Sequence, residues 1–183
     1  MHTPVLLIAL ATWSFAATGT AQSLPRALRG DPVTPVSEAV RSAAARAATN
    51  FIAAAGEMPA GRYGFKPTPA QMSFGDVIGH MGAGNDALCS SIGGVAPPKR
   101  SALPAGTPKE KLVARLRETF QFCESALAKV NDSRLGEKVP YFGDREVSRA
   151  QVMVAAAEEW AGHYSQLAVY LRLSGLLPPT ANR

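Results

Sequence analysis

From Ser148 onward, Val152, Ala156, Glu159, His163, Leu167, Tyr170 and Ser174 recur at steps of three and four, which places all seven on one side of a helix. The stretch is bounded as a helix should be. Ser148 with Gln151 forms a capping pair at its start, Gly175 stands at the C′ position, and Pro178-Pro179 prevent continuation. Within this otherwise apolar stripe, Glu159 and His163 direct a carboxylate and an imidazole toward the core. A buried charge without a partner is costly enough that it takes an ion, a metal or a hydrogen-bond partner. The one other His beyond the first residues is His80, which also lies in a helical pattern.

Three further segments carry the same period. Thr34-Pro35 offers an N-cap and a Pro at the first helical position, the stripe Val36, Val40, Ala43, Ala47, Phe51, Ala54, Met58 follows, and Pro59 stops it. Ser73 with Asp76 starts a second helix that runs to about Ile92 and ends at Gly93-Gly94. Thr107-Pro108 with Glu110 starts a third, on Leu112, Leu116, Phe120, Cys123, Leu127 and Val130. A short hairpin centred near Gly143-Asp144 is expected between Val139 and Val147. The fold class is therefore all-α, an antiparallel-type four-helix bundle, and the Pro-rich stretch with Pro97, Pro98 and Pro104 provides a long crossover between helices two and three.

Residues Pro4 to Ala17 are almost wholly apolar and uncharged, too short for a comfortable membrane span, and are followed by small residues ending Gly19-Thr20-Ala21. That pattern reads as an export signal over residues 1–21, cleaved before Gln22 or Ser23, then a linker over 22–33, the bundle over 34–179 and a tail over 180–183. No Cys near the cleavage point offers a lipid anchor, so the mature chain is expected to be periplasmic or secreted, without stable membrane insertion. The net charge of +5 is scattered rather than gathered into a run interleaved with aromatics, which argues against nucleic acid as a partner. A small-molecule substrate and a homodimer are the partners left open.

At 1.5 Å per residue, His80 lies about 19 Å from the far end of helix two, while Glu159 and His163 lie about 16 and 22 Å from the start of helix four. If the two helices are antiparallel neighbours, the three side chains are level; parallel packing offsets them by about 9 Å, too far for shared ligation. Two imidazoles and one carboxylate suit Zn, or a non-haem Fe, Ni or Mn, with positions left for water or substrate. The alternative is a hydrogen-bonded polar pair in the core. Asn85, Asp86 and Tyr164 are either rim groups of such a site or structural.

The segments Ser73-Phe-Gly-Asp-Val-Ile-Gly-His80, Asn85 through Cys89, Phe120-Gln-Phe-Cys123 and His163-Tyr-Ser-Gln-Leu-Ala-Val-Tyr-Leu-Arg-Leu-Ser-Gly175 with Pro178-Pro179 resemble the DinB-like family, whose relatives include bacillithiol- and mycothiol-dependent transferases. The resemblance implies a four-helix bundle with a crossover after helix two, and a metal site built from one His on helix two and a His-x-x-x-His on helix four. His80 and His163 match two of those positions. Glu159 stands where the family pattern has its third His.

Cys89 is sixteen residues beyond Ser73, and Cys123 sixteen beyond Thr107, so they stand at equal heights if helices two and three run parallel. An oxidising compartment then favours a disulfide, the alternative being two buried thiols. The functional expectation is a metal-dependent hydrolase or thiol transferase. Hydrolysis is preferred because export separates the chain from cytoplasmic thiols. The competing class is a non-enzymatic extracytoplasmic binding module with a degenerate metal site.

Overall fold

Each helix begins at a cap, though not always the one its own local sequence offers. The computed structural model describes residues 34–181; the expected leader and linker lie outside the described residues. Helix α1 spans Pro35–Glu57, α2 Phe74–Gly93, α3 Lys109–Leu127 and α4 Arg149–Leu173, with a hairpin of β1 (Lys138–Tyr141) and β2 (Arg145–Ser148) before α4. The capping boxes expected at Ser73–Asp76 and Ser148–Gln151 are both formed. At α1 the expected cap is not made. The Thr34 hydroxyl turns to Glu38 at 2.9 Å, and the free amides of Val36 and Ser37 instead donate to the Asp132 carboxylate at 3.0 and 2.9 Å. Burial alone would raise the Asp132 carboxyl, but hydrogen bonds from the Ser37 hydroxyl and the two amides, with nearby Arg41, hold it below the usual range. At α3 the cap position is Pro108, one residue later than expected, and Thr107 donates to the Pro104 carbonyl at 2.6 Å.

The hairpin pairs Val139 with Val147, and its turn holds Gly143 and Asp144 at φ of 70° and 57°. Asp is among the few side chains that accept that left-handed region.

Contacts along the helices set their directions. His80 meets His163, Asn85 meets Trp160 and the Ile92 carbonyl meets Arg149, so α2 and α4 are antiparallel. Gly75 lies against Leu112, Asn85 against Thr119, and Cys89 is joined to Cys123, so α2 and α3 are parallel. Around the bundle the order is α1, α3, α2, α4. Parallel neighbours need a return crossover, and the Gly94–Pro108 connection makes it. Arg100 fastens that connection to Asp86 at 2.8 Å and to Glu118 at 2.7 Å. Phe51, Phe74, Leu116 and Leu167 are among the side chains that fill the interior.

Where α2 ends, its backbone runs against α3. A Cβ at Gly93 would stand 2.8 Å from the Ala126 carbonyl oxygen, so the closeness requires glycine. The carbonyls at that end accept from Arg149, which is 2% exposed and pairs with Glu137 at 2.7 Å. A cation at a helix C-terminus complements the macrodipole.

Two outcomes follow from this packing. Non-reducing peptide mapping of natively produced protein should recover Cys89 linked to Cys123, and two freely alkylated thiols in the folded chain would refute the link. With a sequence separation of 34, reduction should lower stability by about 3–4 kcal/mol on the chain-entropy account. The second concerns acid. Hydrogen bonds from Arg134 and Arg149 lower the Glu137 carboxyl from 4.5 to about 2. A carboxyl depressed on folding stabilises above its unfolded value and loses that contribution as pH falls toward its folded value. Urea unfolding should thus show wild type more stable than Glu137→Gln at neutral pH, with the gap closing between about pH 4.5 and 2. A gap independent of pH would be inconsistent with the pairing.

Candidate metal centre

The buried arc of α4 is built from Val152, Met153, Ala156, Trp160, Leu167 and Leu171. After Ala156 the core therefore steps by four to Trp160, not by three to Glu159. This corrects the expected stripe. The large indole takes the inward position because it finds a partner there: Nε1 donates to Asn85 Oδ1 at 2.8 Å, and Asn85 Nδ2 donates to Thr119 Oγ1 at 3.3 Å. Glu159 and His163 are displaced to the flank of the helix, with side chains 45% and 22% exposed. They sit at the rim between α4 and α2 rather than in the core.

The three expected ligands nevertheless converge. One ligand atom from each of His80, Glu159 and His163 lies within 4.8 Å of the others. His163 Nε2 is 3.0 Å from Glu159 Oε2, and the His80 and His163 rings meet edge to face with centroids 4.9 Å apart. The donor set fits a metal: two imidazole nitrogens and a carboxylate oxygen, at the bundle surface, where water or a substrate can reach remaining positions. The antiparallel α2–α4 pairing makes the residues level, as the height argument requires.

Asn85, Asp86 and Tyr164 all prove structural. Asn85 is fully buried, Asp86 holds Arg100, and Tyr164 donates to Thr180 at 3.0 Å. Burial pushes the Asp86 carboxyl up despite the Arg100 guanidinium beside it. Beside His80 lies a cleft of about 730 Å³, walled by Tyr63, Gly75, Gly79 and the crossover residues Leu103 and Pro104.

Sequence reasoning missed Gln166 and the role of Tyr170. Gln166 Oε1 is 3.1 Å from His163 Nδ1, Gln166 Nε2 donates to the Tyr170 hydroxyl at 2.9 Å, and that hydroxyl donates to the Met72 carbonyl at 3.0 Å. The available signal was the spacing: Gln166 is three residues after His163 and four before Tyr170, the two intervals at which helical side chains meet.

The sequence profile of the DinB superfamily matches residues 43–167. The chain belongs to the DinB superfamily. The DinB-type bundle is also seen in solved structures similar to this one. A DinB-like protein from Bacillus cereus is 16% identical with a TM-score of 0.67, over 79% of this chain and 96% of that one. A DinB-like protein from Bacillus subtilis is 18% identical with a TM-score of 0.60, over 75% and 92%. A conserved protein from Enterococcus faecalis is 17% identical with a TM-score of 0.62, over 77% and 98%. At these identities the likeness establishes the DinB fold alone. Among curated proteins none matches this chain.

Proposed function

We propose that this DinB-like bundle binds one divalent transition metal through His80, Glu159 and His163 and works outside the cytoplasm as a metal-dependent hydrolase. The observation that carries the reading is the convergence of the three ligand atoms within 4.8 Å at the α2–α4 rim. An ion held there supplies Lewis-acid activation of water or of a substrate group. The chain's own residues do the rest. The two histidines and Glu159 hold the ion at an exposed rim, and the adjoining cleft offers room for a small molecule beside His80. Hydrolysis is preferred to thiol transfer because an exported enzyme is removed from the cytoplasmic thiol pool. Among the described residues no helix is long and apolar enough to cross a membrane, and the Cys89–Cys123 bond suits an oxidising compartment.

One observation favours a second reading, that of a non-enzymatic binding module. Glu159 and His163 already satisfy each other at 3.0 Å, so the rim is closed without an ion.

Calorimetry on protein purified without an affinity tag, titrated with Zn, Ni, Mn and Fe(II), separates the two. We expect one ion per chain, binding that weakens on acidification because ligand imidazoles must be deprotonated, loss of most binding in His163→Ala, and retained binding in Glu159→His. Wild type that takes up none of the four ions would leave the binding module as the function. Export is tested separately by the intact mass of the chain recovered from its native host, which should begin at Gln22 or Ser23; a chain retaining residues 1–21 would sink it.

A further inference from the structure

A histidine ligates a metal through one nitrogen only if the other carries the proton, so what fixes the tautomer decides which atom is offered. At His163 the tautomer is settled from a distance. The Tyr170 hydroxyl has one hydrogen, which it gives to the Met72 carbonyl at 3.0 Å. Its oxygen can therefore only accept from Gln166, and the group that donates to it is Nε2, at 2.9 Å. The carboxamide is thereby oriented with Oε1 toward His163 Nδ1 at 3.1 Å. A carbonyl oxygen accepts, so Nδ1 must hold the hydrogen. In the neutral ring this leaves His163 Nε2 with the lone pair, 3.0 Å from a Glu159 carboxylate oxygen. At that distance the pair is held either by a second hydrogen on Nε2, which an imidazolium donates to the carboxylate, or by a cation between the two atoms, where both become ligands.

Resting on the metal reading above, we infer that Gln166 is a positioning residue that holds His163 in its Nδ1–H tautomer and presents Nε2 to the ion, with Tyr170 as the anchor that orients Gln166. The anchor does more than fix an amide. Tyr170 is 1% exposed, and Met72 immediately precedes Ser73, the cap of α2. The chain Met72–Tyr170–Gln166–His163 thus ties the ligand on α4 to the start of the helix that carries His80. The hydrogen bonds that orient one ligand thus also join α4 to the start of the helix that carries the other histidine.

Nitrogen-15 NMR of His163 in metal-free protein, together with zinc titration, tests this in wild type, Gln166→Leu, Gln166→Glu and Tyr170→Phe. In wild type and Gln166→Glu, which keeps an acceptor at the same reach, His163 should be the Nδ1–H tautomer. In Gln166→Leu it should lose that preference, and zinc affinity should fall about 10–100-fold, the usual loss when such a partner is removed. Tyr170→Phe, the reading to use if Gln166→Leu fails to fold, should show a smaller change in the same direction. An unchanged tautomer in Gln166→Leu overturns the positioning role whatever the zinc titration gives. Wild type that binds no zinc while the tautomer still changes in Gln166→Leu sinks the metal reading and leaves the hold on His163 standing.

Discussion

Asn85 ties three helices together through one side chain. It is fully buried on α2, accepts from the Trp160 indole of α4 at 2.8 Å and donates to Thr119 of α3 at 3.3 Å. A carboxamide in an apolar interior has few ways to satisfy both its ends, and leaving one unmade costs about 1–3 kcal/mol. Sliding α4 or α3 by a single turn would break one of the two bonds, whereas purely apolar packing tolerates such slips better. The register of α2 is thus fixed against both neighbours at one level. His80, one turn and a half toward the N-terminus, arrives opposite His163; Cys89, one turn toward the C-terminus, arrives opposite Cys123. The convergence of His80, Glu159 and His163 and the disulfide are two readouts of the same alignment.

What the sequence made legible was local or periodic. The Ser73 and Ser148 caps involve residues three apart, and the levels of His80, Glu159, His163, Cys89 and Cys123 follow from a constant rise per residue. What it hid was chosen by distant partners. The amides of α1 are capped by Asp132, about ninety-five positions away in the chain, and the end of α2 is held by Arg149, whose guanidinium reads from the sequence as an ordinary solvated charge. The same blindness misplaced Glu159. At the period of 3.6, steps of three and four from Ala156 both stay on one side of the helix, and the apolar area of the indole, with Asn85 across the interface to take its N–H, selects Trp160 for the inside. Gln166 was invisible for a related reason: its meaning depends on Tyr170, and Tyr170 in turn on a carbonyl outside the helix.

Placing the ligands at the rim changes the energetics from those of a buried site. A pair such as Glu159–His163, with side chains 45% and 22% exposed, contributes little to folding because water competes for both partners. The load of stability rests elsewhere, on the apolar interior, on the Asn85 bonds and on Arg149 at the end of α2. Chemistry and stability are therefore separable along α4. Its buried arc specifies the bundle, while its flank at Glu159, His163 and Gln166 can change without emptying the core.

That separation bears on the carboxylate in a place where the family resemblance implies a third imidazole. Three neutral imidazoles leave a divalent ion with its full charge of +2, whereas two imidazoles and a carboxylate leave +1. The lower charge would make a bound ion a weaker Lewis acid toward water, and two His with one carboxylate is a recurrent set for non-haem Fe(II) as well as for catalytic Zn. A carboxylate also brings two oxygens, so Glu159 could offer an ion either one or two of them, which an imidazole cannot. With Gln166 within hydrogen-bond reach of His163 on one side, Glu159, the more exposed of the two α4 residues of the set, would be its adjustable member. On the metal reading, a carboxylate at this position would change which ion is held and how firmly, on a surface where the fold does not resist it.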